Sequence, residues 1–320
     1  MFCRATYAIL CLAVTSIPIA PPLSALPARP VWPAQLGALL ALTKPSLAAM
    51  SVLTALVAYG TARPSGGWPA FLLTLTGTTL AAAGALSLNQ WWERKTDAQM
   101  QRTCGRPLPR AQVTPETALG WSLTLSLGGV GGLAVWVNLA AAGCATLTIL
   151  LYGLVYTPLK RRTRWATELG AVSGAVPPLL GNAAAGNLWA ASGLTLFAVL
   201  LCWQMPHFFA IGWRHRADYR EAGFRLLPAL DPTGKSTAAW SLFYAALLVP
   251  VSLAPWALGH LGALYGVPAA LAGLAFLACA GRFVLAPGDR ETAARRLFFA
   301  SIIYLPVVLL ALVLDRLTAG

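Results

Sequence analysis

Charge is scarce in this chain of 320 residues. Lys, Arg, Asp and Glu make up 10% of it, with only ten Asp and Glu and three His in total. A soluble domain carries about a quarter charged residues. That shortage, with 58% hydrophobic residues and a mean hydropathy of +0.67, excludes an ordinary soluble globular fold. No Cys-x-x-Cys pair occurs among the six cysteines, Cys3, Cys11, Cys104, Cys144, Cys202 and Cys279. Most lie in apolar runs, where a free thiol behaves as a small hydrophobe. Neither a disulfide framework nor a zinc site is expected. Only Cys104 falls in a polar stretch, where a reactive thiol is an option. Low-complexity tracts and short-period repeats are absent too.

Apolar runs of membrane-spanning length fill the space left by charge. They fall at roughly 45–62, 68–90, 116–134, 136–157, 168–186, 188–211, 237–258, 262–285 and 295–315, each long enough to cross a bilayer. The expected fold is therefore all-α, a polytopic membrane protein of about nine transmembrane helices. The net charge of +13 is confined to alternate connections. One set holds Arg94 to Arg110, Lys160 to Arg164, Arg214 to Lys235 and Arg282 to Arg296. The other set, near Val135, Gly186 and Gly259, holds no Lys or Arg, and Arg63 is its one exception. The positive-inside rule puts the charged set in the cytoplasm. This partition implies contact with membrane lipid and no nucleic acid, which would need an exposed basic surface. Residues 1–41 stand apart as an N-terminal extension. Arg4, the run Tyr7–Ile19 and Ala25-Leu-Pro-Ala28 resemble a signal peptide, but cleavage conflicts with the loop charges. An uncleaved extension or an extra helix is the expectation, with the main domain over 42–317.

In a chain so poor in acids, two of them share one helical face with an amide. Asn89, Glu93 and Asp97 are spaced i, i+4, i+8 at the end of an apolar segment, so their side chains project together. Such oxygen ligands suit Mg²⁺, which keeps several waters and shares its other sites with phosphate oxygens. Arg94, Lys95, Arg102, Arg106 and Arg110 crowd the same stretch, and clustered arginines suit phosphates. Together they describe a site for a lipid diphosphate at a membrane edge. The competing reading is a solvated interface loop of mixed charge. Asp218 and Glu221 form a second acidic pair in a loop expected on the same side. Lys160 and Arg161, after Pro158, are either diphosphate ligands or ordinary positive-inside anchors. His207, alone in an apolar stretch after Pro206, is either a functional imidazole or a hydrogen-bonded link between helices.

These motifs resemble those of the UbiA superfamily of intramembrane prenyltransferases, and within it the branch that prenylates haem. The likeness covers roughly residues 42 to 315. It rests on Asn89-x3-Glu93-x3-Asp97, Met100-x-Arg102-Thr103-x-x-Arg106-Pro107-Leu108 and Tyr156-Thr-x-Leu-Lys160-Arg161-x-Thr163. Gly174-Ala-x-Pro-Pro-x-x-Gly181, Asp218-Tyr219-x-x-Ala222-Gly223, Leu227-Pro228 and Lys44-Pro45 also match. The discriminating element is Trp203-Gln-x-Pro-His207-Phe208, which quinone-type members lack. Three positions depart from the pattern. Glu93 replaces the usual Asp, Ala222 stands where many members have Asp, and Ala166 stands where Asn is common.

The resemblance implies a UbiA-type helical bundle and a Mg²⁺-dependent enzyme. It would transfer the farnesyl group of farnesyl diphosphate to a vinyl group of haem B. Asn89, Glu93, Asp97 and Asp218 are the implied metal-binding and catalytic residues. Arg102, Arg106, Lys160 and Arg161 are the implied diphosphate ligands, and His207 contacts haem. The implied location is the bacterial inner membrane, and haem A synthase is a candidate partner. Two other readings stay open. One is a UbiA-type enzyme acting on an aromatic or quinone precursor. The other is a non-enzymatic transporter of haem or of a lipid diphosphate. Haem co-purification separates the first alternative, and product formation the second.

Overall fold

The computed structural model describes residues 32–62, 64 and 66–318; the signal-like stretch and Cys3 and Cys11 lie outside them. Among the described residues every regular element is helical. In chain order these are α1 Trp32–Leu42, α2 Pro45–Thr61, α3 Gly67–Asp97, α4 Pro115–Trp136, α5 Leu139–Leu159, α6 Ala166–Ala175 and α7 Pro177–Ala184. There follow α8 Ala191–Arg214, the short α9 Arg216–Glu221 and α10 Leu227–Leu230, then α11 Lys235–Ala257, α12 Ala263–Leu285 and α13 Arg290–Thr318.

Seven of these helices are long and apolar enough to cross a membrane, which makes the chain an integral membrane protein. The number is eight if the pair α1–α2, bent by 47°, counts as one span. Among the described residues the expected count of nine is not confirmed. The segment expected at 168–186 consists of α6 and α7, which meet at Val176 before Pro177-Pro178. Proline lacks an N–H and blocks continuation of the preceding turn, so neither piece attains spanning length alone. Helix α1 falls almost wholly within residues 1–41, the stretch set apart as an N-terminal extension. α1 begins at Trp32, and Leu42 at its end is fully buried.

Close helix contact depends on small residues. A Cβ on Gly84 of α3 would strike the Ser126 backbone of α4, and one on Gly129 of α4 would strike Ala81 and Gly77 of α3. Without a hydrophobic drive in lipid, such contacts let backbones approach and recover dispersion energy. Two cores result. One lies among α3, α4, α5 and α7, including Ala81, Leu133, Ala145 and Leu180. The other lies among α8, α11, α12 and α13, including Val199, Leu248, Tyr265 and Phe276.

Alternation of the long helices brings the charged connections to one end. Lys160, after α5, accepts a backbone bond from Arg225 beyond α9. Arg216 of α9 reaches Glu291 of α13 at 3.1 Å. At the opposite end Asn138 caps α5 and donates to the Ala183 carbonyl, and Asp315 accepts from the backbone of Gly262. Asp231 caps α11, accepting from the backbone N–H groups of Gly234 and Thr237. Burial would raise the Asp231 carboxyl pKa, but those hydrogen bonds outweigh it and hold the pKa below its ordinary value.

Candidate active site

Helix α3 runs well past its small-residue contacts with α4 and ends in the charged layer. There Asn89, Glu93 and Asp97 fall on one face, as their spacing requires, and all three are buried. Gln90, on the neighbouring face, donates to the carbonyls of Ala41 and Leu42. This bond ties the end of α1 to α3 and sets the position of the next few residues. Lys44 then precedes Pro45 with a φ of 46°, a left-handed conformation uncommon for lysine. Its side chain enters the site.

Each oxygen-bearing residue faces a cation. Lys44 Nζ donates to Asn89 Oδ1 at 2.8 Å. Lys160 Nζ donates to Glu93 Oε1 at 2.8 Å, and Arg106 Nη1 to Asp97 Oδ2 at 2.6 Å. Arg102 reaches the Tyr219 hydroxyl at 3.3 Å. Lys160 also lies 4.4 Å from the centre of the Tyr156 ring. Burial opposes the Lys160 charge, but Glu93 and Tyr156 outweigh it and raise its pKa, so the side chain is an ammonium.

These groups line a polar cavity of about 540 Å³, walled further by Met100, Tyr152, Phe224 and Leu226. Four basic side chains face two carboxylates, so the cavity favours a multiply charged anion. Beside it lies an apolar chamber of about 610 Å³, lined by small residues of α3 such as Ala81 and Ala85, by Ile149 of α5 and by Gly174 of α6. Tyr152 lines both cavities, so the two adjoin at that residue. Tyr152 belongs to a π-helical stretch of α5, Leu150–Tyr156, a local widening common at functional sites.

The donor set fits a hard divalent cation. Asp97 Oδ1 is buried without a hydrogen-bond partner, while its other oxygen is taken by Arg106. An unpaired carboxylate oxygen beside a second carboxylate and an amide oxygen is the ligand chemistry of Mg²⁺. Among the described residues no three His, Cys, Asp or Glu side chains gather, because the third oxygen here belongs to Asn89.

The other residues expected in the site are placed differently. Asp218 is on α9, beside Tyr219, and does not line the polar cavity; Glu221 is exposed. Arg161 is exposed and runs past Gly223. His207 lies on α8, facing α13, also apart from that cavity. Its Nδ1 is 2.8 Å from Ser301 Oγ, and Trp203 stacks on the ring with centroids 5.4 Å apart. Ser301 spends its single hydroxyl proton on the Phe298 carbonyl at 2.5 Å. The Ser301 hydroxyl thus links the ring of His207 on α8 to the backbone of α13. Cys104 is exposed, and Cys144, Cys202 and Cys279 are free thiols.

Sequence reasoning gave no site role to Lys44, Tyr152, Tyr219, Phe224 or Leu226. Lys44 was visible as a lone charge at the start of an apolar segment. The others carry no local signal, because the folding of the 215–226 loop over Lys160 is what brings three of them in.

Known proteins match this sequence and this architecture. The profile of the UbiA prenyltransferase family matches residues 48–303. The chain is 47% identical to the protoheme IX farnesyltransferase of Opitutus terrae over 278 residues, covering 87% of this chain and 94% of that protein. It is 40% identical to the same-named protein of Solibacter usitatus, covering 86% and 97%. A mitochondrial protoheme IX farnesyltransferase of Arabidopsis thaliana is 36% identical, covering 87% of this chain and 64% of that protein. Among solved structures, a digeranylgeranylglyceryl phosphate synthase superposes with a TM-score of 0.75 at 18% identity, over 89% of this chain and 99% of that one. A UbiA homolog from Archaeoglobus fulgidus, bound to GPP and Mg²⁺, superposes with a TM-score of 0.57 at 14% identity, over 86% and 99%. The fold and the extent of these matches lead to one conclusion: the chain belongs to the UbiA prenyltransferase family.

Proposed function

We infer that this protein is a protohaem IX farnesyltransferase, transferring the farnesyl group of farnesyl diphosphate to a vinyl group of haem B. The observation that carries the reading is the junction at Tyr152 of a cation-rich polar cavity with an apolar chamber. That pairing suits a substrate with a diphosphate head and a hydrocarbon tail. The choice of haem as acceptor rests on the relatives named for it and on the Trp203–His207 motif.

In this mechanism Lys44, Arg102, Arg106 and Lys160 bind the diphosphate oxygens. Asn89, Glu93 and Asp97 would hold Mg²⁺, which when bound offsets charge on the leaving diphosphate. The carbon–oxygen bond to diphosphate breaks, and farnesyl C1 joins the terminal vinyl carbon of the haem. Water adds its hydroxyl to the inner vinyl carbon and releases a proton, giving the hydroxyethylfarnesyl side chain. The apolar walls limit water near the allylic cation until the vinyl group captures it. His207 serves the haem as iron ligand or propionate partner. Asp218 and Arg161 line no part of the cavity and would reach substrate only if the connections that carry them move. The charged end faces the cytoplasm, as the positive-inside rule requires.

The direct test is incubation of the purified full-length protein with haem B, farnesyl diphosphate and Mg²⁺, with the product read by mass spectrometry. Haem O is the expected product. Prenylation of an aromatic acid, with haem left unmodified, would overturn the acceptor assignment.

A further inference from the structure

Asn89 presents its amide oxygen to the cavity, and an amide has two nearly isosteric ends. What fixes the orientation is a residue outside the cavity lining. Thr157 is buried at the foot of the π-helical stretch of α5. Its hydroxyl donates to the Tyr152 carbonyl at 2.7 Å, five residues back. Having used its one proton there, Thr157 Oγ1 can only accept, and Asn89 Nδ2 donates to it at 3.0 Å. The amide nitrogen is thereby held against α5, and the amide oxygen is turned toward the cavity. Lys44 holds that oxygen from the other side. Yet Lys44 lines the cavity, and a diphosphate competes with Asn89 for its N–H donors. Thr157 faces only protein, so it is the partner that stays when substrate enters.

We propose that Thr157 is a positioning residue for the metal site: its hydroxyl, oriented by the π-helical Tyr152 carbonyl, locks Asn89 with its oxygen aimed at the cation. The π-helical turn then has a defined part in the site. It supplies a carbonyl that removes the donor option from Thr157. This proposal rests on the reading of Asn89, Glu93 and Asp97 as metal ligands, and is independent of the identity of the acceptor.

The test uses full-length protein in detergent, with Mn²⁺ as the probe in the presence of inorganic diphosphate, and binding read by electron paramagnetic resonance. Thr157→Val keeps the shape and removes the acceptor; Mn²⁺ affinity should fall about ten-fold, the usual loss for a group that orients a metal ligand. Thr157→Ser keeps the hydroxyl and should bind Mn²⁺ as the wild type does. Thermal melting of each variant reports the fold separately. If Thr157→Val fails to fold, Thr157→Ala takes its place with the same expected loss. Wild-type Mn²⁺ affinity in a folded Val or Ala variant overturns the proposal. So does a Ser variant as weak as Val, since shape and not the hydroxyl would then matter. If the wild type itself binds no Mn²⁺ with diphosphate, the metal-ligand reading falls and this proposal with it, while haem prenylation is judged by its own assay.

Discussion

The two acidic motifs of this chain have opposite structural fates. Asn89, Glu93 and Asp97 end a helix of 31 residues, packed along its length against α4 and tied to α1 through Gln90. Their positions are inherited from a rigid body, and each meets a cation within hydrogen-bonding distance. Asp218 and Glu221 sit on a helix of six residues between loops, and none of its residues is buried. Of that helix only Tyr219 lines the cavity. Spacing on a long packed helix is therefore a geometric statement. The same residue types on a short surface helix describe only a group that a loop movement could bring in.

The largest test of this contrast is Asp97→Ala. Farnesyl transfer should fall by at least about 100-fold, the scale for losing transition-state charge stabilisation, with the protein still in the membrane. Chelation of Mg²⁺ should have a comparable effect. Near-normal haem O formation in membranes carrying the variant would remove the first motif from the chemistry.

Next in size is Lys160→Met, which leaves the buried Glu93 carboxylate without its partner. Breaking such a pair costs about 3 kcal/mol, so both melting temperature and diphosphate affinity should drop. Adding Glu93→Gln should restore the melting temperature and leave the affinity low. Recovery of both in the double variant would make the pair structural only.

Asp218→Asn should reduce turnover by about ten-fold, less than Asp97→Ala, because Asp218 lies outside the cavity lining and would need its loop to move to reach substrate. Equal losses in steady-state kinetics would show that α9 joins the site as fully as α3 does. His207→Ala sharpens the comparison from outside both motifs. Its haem affinity should weaken about ten-fold, the scale of a lost ligand contact, with farnesyl diphosphate affinity within about three-fold. Optical haem titration beside diphosphate calorimetry decides it, and the reverse pattern would reassign the residue. The smallest effect is expected for Glu93→Asp. It shortens one arm and keeps the charge, so at least about a third of the activity should survive. An inactive variant would mean that the Lys160 contact needs the longer chain.

Much of this could be read from residues alone, for definite reasons. Hydrocarbon thickness fixes the length of a spanning run, so the helical class and most spans were legible. Charge asymmetry separated the loops into two sets, and the structure gathers the first set at one end. Helical periodicity placed Asn89, Glu93 and Asp97 on one face before any coordinates. The count of nine is not confirmed, because hydropathy does not see the break at Val176, where Pro177 divides one apolar run into two short helices. Cation partners were legible as types and not as pairs. Lys160 meets Glu93 across 67 residues, and Lys44 meets Asn89 across 45.

The sequence by itself determined a helical membrane protein, a shared oxygen-bearing face and a cation-rich layer beside it. These follow from local period and from the energy of burying polar groups in lipid, both of which act over a few turns. Only the tertiary structure decided which basic side chain faces which oxygen, that Asp97 keeps one oxygen unpaired, that Tyr152 lines both the polar cavity and the apolar chamber, and that Thr157 turns the Asn89 amide. Each of these depends on the approach of helices far apart in the chain, which is set by close packing at Gly84, Gly129 and their neighbours and leaves no local trace.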